Sequence, residues 1–268
     1  MEVEVEPLVS VLLPVRDAER TIERAVRSVF AQTFGRWVLI AVDDGSVDGT
    51  ESVLRSLAAE DSRVRVYRNE RPCGTAGALN RAIAESRTPF VARLDADDEC
   101  FPDRFERQVA FMRAHPEVDV LGGAAEVVGP DGEILDRVLP AQTHRQLVEE
   151  RYLRNPFIHP TVMFRSTFFD RFGTYDQSFR FAQDYELWLR AARGAHFRNL
   201  EHALIRYAVR GDYGLRRARW SIAARFRHAV RDGELGRATV CSLRELAAVV
   251  VRRVGGRAFG YARRNPSR

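Results

Sequence analysis

The feature that most constrains this 268-residue chain is Val9–Val15, VSVLLPV, a run of β-branched and apolar residues with Ser10 as its one polar member. A strand made from it offers no face to water, so it must be covered on both sides, as strands inside parallel sheets are. Parallel neighbours need crossover connections, and the residues that follow supply them. Ala18–Gln32 carries Ile22, Val26, Val29 and Phe30 at helical spacing, with arginines and Glu23 on the other face. Trp37–Val42 reads as a strand, Thr50–Glu60 as a helix, Val64–Tyr67 as a strand, Thr75–Ser86 as a helix and Pro89–Leu94 as a strand. This alternation predicts an α/β fold with a doubly wound, mostly parallel sheet and right-handed crossovers. Such sheets bind ligands beyond the carboxyl ends of their strands. Here those ends are Pro14–Asp17, Asp43–Ser46 and Asp95–Asp98, three polar and mostly acidic loops that should converge on one crevice.

Beyond residue 100 the texture changes. Pro102–His115 is helical by pattern, Asp119–Val128 and Glu133–Val138 flank the turn Gly129–Gly132 as a hairpin, and Thr143–Leu153 reads as a helix. Short strands (Thr161–Phe164, His196–Asn199, Leu204–Val209) then mix with helices at Ser166–Phe172 and Asp184–Ala192, and from Leu215 onward helical character dominates. A composition of 45% hydrophobic and 29% charged residues excludes disordered, collagenous and coiled-coil classes. No apolar run reaches the ~18 residues of a membrane span, and the acidic start lacks a signal-peptide plan, so a cytoplasmic protein is expected. Cys73, Cys100 and Cys241 are too few and too scattered for a disulfide framework or a CxxC metal site, which fits a reducing compartment.

All 42 basic residues are arginine, and 14 of them fall between Arg216 and Arg268 against only Asp232, Glu234 and Glu245, a local charge of +11. With the whole chain at +5, residues 1–214 carry −6. The organisation expected is therefore a domain over 1–212, with a nucleotide-binding half to about 100 and an acceptor half from about 101, and a basic helical extension over 213–268.

Three aspartates within Asp95–Asp98 repel one another unless positive charge sits among them. Oxygen donors of this kind suit Mg²⁺ or Mn²⁺, which bridge diphosphates while taking one or two protein ligands. A helix cap ahead of Pro102 would need only one of the three. Asp43-Asp44-Gly45-Ser46 can hold a base or ribose at a strand end, or serve as a solvated acidic turn. Asp184 opens an apolar helix, where free amides favour its ionised form; that suits a general base and equally a cap.

Taken in order, Pro14, Gln32-Thr33-Phe34, Val42–Ser46, Gly74–Asn80, Ala92–Asp98 and Gln183-Asp184 resemble glycosyltransferase family 2 over about residues 8–210. The resemblance implies a GT-A fold and inverting, metal-dependent sugar transfer from a nucleoside-diphosphate sugar, UDP- or dTDP-linked, to a glycan or lipid-linked acceptor in polysaccharide or glycoconjugate assembly. It implies that Pro14, Val15, Arg16 and Asp44 line the nucleoside pocket and that Asn80 and Arg93 lie near the nucleotide. By the same resemblance Asp95 meets ribose or donor sugar, Asp97 holds Mn²⁺ or Mg²⁺, and Asp184 is the catalytic base. The segment Asn155–Thr161 also resembles a family stretch near the acceptor side, where His159 contacts diphosphate or acceptor, or packs its own loop. Two departures stand out: Gln183 replaces the family's frequent glutamate, and the Gln-x-x-Arg-Trp motif of processive synthases is absent.

Arginines interleaved with Trp220, Phe226, Val249–Val251, Phe259 and Tyr261 suit either a helix on an anionic membrane surface or helices packed on the catalytic domain. Rival readings are a non-catalytic sugar-nucleotide binder and a nucleic-acid-binding module built on the tail. The acidic first 214 residues and the absence of any nucleic-acid motif speak for no nucleic acid. A nucleotidyltransferase would show a glycine-rich basic loop after the first strand, where this chain has Pro14-Val15-Arg16-Asp17.

Overall fold

The computed structural model describes residues 6–208 and 214–255. Met1–Val5, the expected strand end at Val209, the expected boundary at 212/213, and Phe259 and Tyr261 lie outside them. The alternation read from the sequence is present: β1 (Val9–Val15), α1 (Ile22–Phe30), β2 (Trp37–Asp43), α2 (Thr50–Glu60), β3 (Val64–Arg68), α3 (Gly74–Glu85) and β4 (Phe90–Arg93). There follow β5 (Glu99–Cys100), α4 (Arg104–Ala114), β6 (Val120–Val128), β7 (Ile134–Val138), α5 (His144–Glu149), a 3₁₀ turn (His159–Thr161), β8 (Met163–Arg165), α6 (Thr167–Phe172), α7 (Gln183–Ala191) and β9 (Phe197–Ala208). Two helices end the described chain, α8 (Gly214–Asp232) and α9 (Leu235–Gly255).

The strands form one sheet in the order β3-β2-β1-β4-β8-β6-β9-β5, with β7 paired to β6. β1 pairs in parallel with both β2 and β4, and β2 with β3. Every residue of β1 is buried, because its odd and even positions feed different cores. Val11 and Leu13 join Val26, Leu54 and Phe105 on one face; Leu12 joins Leu79, Phe164 and Trp188 on the other. Helices therefore cover both faces, as the apolar run required.

Four local readings change. α1 begins at Ile22 instead of Ala18, since the Ala18 amide is taken by Thr50 Oγ1 at 2.8 Å and ties the loop after β1 to α2. Thr161 lies in the 3₁₀ turn and only Met163–Arg165 pairs as a strand. The two strands expected at His196–Asn199 and Leu204–Val209 are one strand, β9, running parallel to β6 with register shifts around Ala124 that accommodate the extra residues. The two-residue strand β5, too short to carry a sequence pattern, pairs with the end of β9.

The C-terminal helices rest on α7. Tyr152, Tyr185 and Leu189 form an apolar cluster with Ala224, Ala229, Ala238 and Cys241 of α8 and α9. Around it several buried charged groups are paired: Arg225 with Glu245 and the carbonyl of Tyr152, Asp232 with the Tyr152 hydroxyl, and Glu186 with His228 and Arg190, both at 3.0 Å. No helix of the described residues is long and apolar enough to cross a membrane.

Glu186 is 2% exposed. Burial alone would raise its pKa, but hydrogen bonds from His228 and Arg190 outweigh that and hold it below the ordinary glutamate value. The stability it contributes is fully present above its unfolded pKa, about 4.3, and is lost as pH falls through the lower native value. Glu186→Gln is expected to cost about 2 kcal/mol in urea unfolding at pH 7. The gap from the wild-type protein should narrow below pH 4.3.

Candidate active site

The loops after β1, β2 and β4 lie at one end of the parallel strands. Pro14 and Val15 complete β1 in register with Val42 and Asp43, and their side chains are buried in the sheet. They shape the crevice through backbone alone, while Arg16, the next residue, is exposed and pairs with Asp17 at 3.5 Å. Asp17 adopts φ 49°, and this left-handed turn is braced by its amide donating to Ser46 Oγ (3.0 Å) and its carboxylate accepting from the Val47 amide (2.9 Å). The first two loops thus lock to each other.

The acidic turn after β2 divides its labour. Asp43 is fully buried against Arg68 and accepts from the Ser46 amide at 2.9 Å. Asp44 turns the other way: Asn69 Nδ2 (2.8 Å), the Cys73 amide (2.9 Å) and the Gly74 amide (2.8 Å) all donate to its carboxylate. Burial works to raise the pKa of Asp44, and these donors together bring it below the ordinary aspartate value. Asp44 therefore anchors the start of α3, and the donors take most of its accepting capacity. Gly45 between them sits at φ 70°, where a Cβ would press on Pro72 at 3.2 Å.

At the end of β4, Arg93 is 3% exposed and forms a two-pronged pair with Asp95. Its Nε has no hydrogen-bond partner, and its backbone carbonyl is held by the buried Arg104 at 2.9 Å. Asp98 is buried as well: one oxygen accepts from the Ala208 amide at 2.9 Å and the other has no partner. Burial, reinforced by the charges of Asp95 and Asp97, drives its pKa well above the aspartate range, against the Ala208 amide and Arg93. Asp97 is half-buried on the same loop, and its carbonyl accepts from Arg24 at 3.3 Å.

An unsatisfied buried carboxylate oxygen among mutually repelling aspartates is the environment that a cation relieves. Among the described residues no group of three or more His, Cys, Asp or Glu side chains could by itself hold a metal ion. One or two carboxylates of this loop, Asp97 among them, would hold Mn²⁺ or Mg²⁺ only together with oxygen donors from outside the group, as Mg²⁺ is commonly held.

Asp184 is the second residue of α7. The residue before that helix, Ala182, is left-handed at φ 56° and makes no side-chain cap, and Asp184 itself accepts from Asn155 Nδ2 at 2.7 Å. Its carboxylate is thus turned toward the Asn155 loop, and the capping role is not realised. The same loop runs into the 3₁₀ turn and His159, which is 8% exposed, with Nε2 2.8 Å from the Tyr175 hydroxyl. The half-buried Asn80 is tied to Tyr175: its amide donates to the Tyr175 carbonyl (2.8 Å) and accepts from the Tyr175 amide (2.9 Å). Tyr175 is buried beside this constellation. Burial raises its pKa, the charges of Asp184 and Asp95 add to the rise, and Arg93 opposes it.

The structure brings Arg93, Asp95, His159 and Asp184 together around Tyr175. It leaves Pro14 and Val15 in the core, and it turns Asp44 toward α3 and Asn80 toward Tyr175. Sequence reasoning passed over Tyr175; the available signal was an aromatic in Gly173-Thr-Tyr-Asp176, a short turn-like link ahead of Asp184.

The family model described as glycosyl transferase family 2 matches residues 10–173. EpsE of Bacillus subtilis strain 168, which carries the name of a glycosyltransferase, is 33% identical over 210 residues, covering 77% of this chain and 74% of its own. The amylovoran biosynthesis glycosyltransferase AmsE of Erwinia amylovora is 29% identical over 215 residues, covering 79% and 80%. Among solved structures, the mannosyltransferase PcManGT of Pyrobaculum calidifontis, in complex with GDP-Man and Mn²⁺, has the same fold, with a TM-score of 0.67 at 18% identity over 96% of this chain and 77% of its own. The doubly wound sheet with its acidic strand ends is thus a GT-A sheet. A match over more than half the chain, with strand-end aspartates where such a crevice needs them, makes this protein a member of glycosyl transferase family 2.

Proposed function

We propose that this transferase moves a sugar with inversion from a UDP- or dTDP-sugar to an acceptor hydroxyl of a glycan or lipid-linked oligosaccharide. The observation that carries this reading is the gathering of Asp184, held by Asn155, and the Arg93–Asp95 pair around one buried tyrosine. Inversion requires the acceptor hydroxyl to lose its proton on the face opposite the leaving group. Asn155 occupies Asp184 Oδ2, which leaves Oδ1 to accept that proton, and a single fixed hydrogen bond aims the carboxylate without quenching it. The two-pronged pair with the Arg93 guanidinium orients Asp95 for a donor hydroxyl. A divalent cation, when bound through Asp97, would neutralise charge gathering on the departing diphosphate. The complex of PcManGT with GDP-Man and Mn²⁺ supports both kinds of ligand, and the name of AmsE supports a biosynthetic role in glycan assembly.

A place at the cytoplasmic face of a membrane accompanies this reading. On α9, Ala238 and Cys241 face the protein while Val240 (50%) and Leu243 (61%) are exposed, with Arg237 and Arg244 beside them. An apolar strip edged by arginine suits an anionic lipid surface, to which each basic residue adds about 1 kcal/mol.

Calorimetric titration with UDP, dTDP, GDP and CDP, each with and without Mn²⁺, tests the donor site. One diphosphate should bind selectively and with metal, and Asp97→Ala should weaken it at least about tenfold, a loss of about 1.4 kcal/mol. Unchanged Mn²⁺-dependent binding in that variant would remove Asp97 from the site. Asp184→Asn should keep donor affinity within about twofold while lowering transfer at least about 10³-fold; near-normal turnover would remove Asp184 as the base. In flotation with phosphatidylglycerol vesicles, Val240→Asp with Leu243→Asp should abolish association seen for the wild-type chain, since the buried side of α9 is untouched. Equal flotation of both would rule out this face.

A further inference from the structure

Asn80 and Tyr175 lie 95 residues apart, on opposite sides of the boundary between donor and acceptor halves, yet the side-chain amide of one makes a reciprocal pair with the backbone of the other. The connection between α6 and α7 that carries Tyr175 is stitched from two more directions. Arg190 of α7 donates to the carbonyls of Phe172 and of Thr174 (the latter at 2.7 Å), and Arg227 of α8 pairs with Asp176. Such bracing of so short a stretch around Tyr175 exceeds what filling a core requires. The side chain it holds is equally specific. The ring of Tyr175 lies 5.5 Å from the His159 ring, which in turn meets Trp188 of α7 edge-on at 6.1 Å. A phenylalanine would pack as well, whereas a hydroxyl is costly to bury unless bonded, and here the bond is to His159.

We propose that Tyr175 is a positioning residue for sugar transfer, its hydroxyl fixing His159 against the acceptor side of the crevice, and that Asn80 acts through Tyr175 and not on the nucleotide. The inference rests on the transferase reading above. The charged groups that face the phenol are Arg93 and Asp95 from the end of β4 and Asp184 from α7, and their balance with burial keeps it protonated. The hydroxyl and His159 Nε2 share one hydrogen bond of 2.8 Å. Removing the hydroxyl takes that bond from a buried ring and loosens its placement next to the loop whose Asn155 aims Asp184. Displacement on that scale near a reacting centre is enough for losses of about 10²-fold in rate.

The test uses the full chain and release of nucleoside diphosphate from UDP-glucose, UDP-N-acetylglucosamine and dTDP-glucose with Mn²⁺, a hydrolysis that needs no identified acceptor. Calorimetry with UDP and dTDP and thermal unfolding are measured alongside. For Tyr175→Phe we expect kcat to fall at least about tenfold while KM for the donor and diphosphate affinity stay within about threefold. Asn80→Ala should show the same split, and Asn80→Asp, which keeps the acceptor for the Tyr175 amide and loses the donor to its carbonyl, an intermediate one. The inference is overturned if Tyr175→Phe turns over like wild type. It is overturned equally if Asn80→Ala loses diphosphate affinity in proportion to rate, the signature of a nucleotide contact, or if either variant loses rate only in step with folded fraction. A wild-type chain that binds no diphosphate and releases none overturns the transferase reading itself, and this inference with it.

Discussion

The pair between Arg93 and Asp95 is the interaction on which the site depends. A strand buried on both faces ends in three aspartates within four residues, and without an internal cation that loop would be driven apart. Arg93 supplies the charge from inside the sheet, where burial would ordinarily disfavour a guanidinium; Asp95 first, then its other acidic neighbours, keeps it charged. Its own carbonyl is held by Arg104, which also reaches the Val162 carbonyl at 3.3 Å. A second buried arginine thus fixes the strand end to the segment that brings His159 into place. The arrangement remains short of positive charge: Asp98 keeps a buried oxygen without a hydrogen-bond partner, and burial with the charges of Asp95 and Asp97 pushes its pKa up.

The first hundred residues were legible because each element there is set by a local pattern. An apolar run with no polar alternation can only be an inner parallel strand, and a stripe such as Ile22, Ala25, Val26 and Val29 can only be a helix lying on it. What a pattern cannot carry is which oxygen a strand-end carboxylate turns outward. Asp43 and Asp44 are adjacent and alike in sequence, yet one closes on Arg68 and the other on the amides that open α3, a choice made by residues 25 to 30 positions away. Beyond residue 100 the mixed sheet defeats the same reading. β5 has two residues, and β9 was split in two because its register shift past Ala124 interrupts the alternation that marks a strand. Tyr175 was illegible for a related reason: its importance lies in partners on α3, in the 3₁₀ turn and on α7, none of them neighbours in the chain.

The extension shows how charge composition and charge function separate. Arginines that look in the sequence like a free polycation are, where their side chains are described, largely spent on the protein: Arg225 on Glu245, Arg227 on Asp176, Arg231 on Asp232 and Arg237 on the Glu149 carbonyl. A pair such as that of the buried Arg225 rarely adds much stability over apolar packing but costs heavily to break, so it fixes orientation more than it raises stability. What these contacts orient is α7. Glu186 sits two residues after Asp184 and takes hydrogen bonds from His228 of α8 and Arg190 of α7, and that same Arg190 holds the link bearing Tyr175. The helices after residue 213 are therefore coupled to Asp184 through one turn of helix. A shift of α8 on α7, whatever produces it, reaches Asp184 and Tyr175 together before it reaches the strand ends, because the strand ends are held by Arg93 and Arg104 from within the sheet.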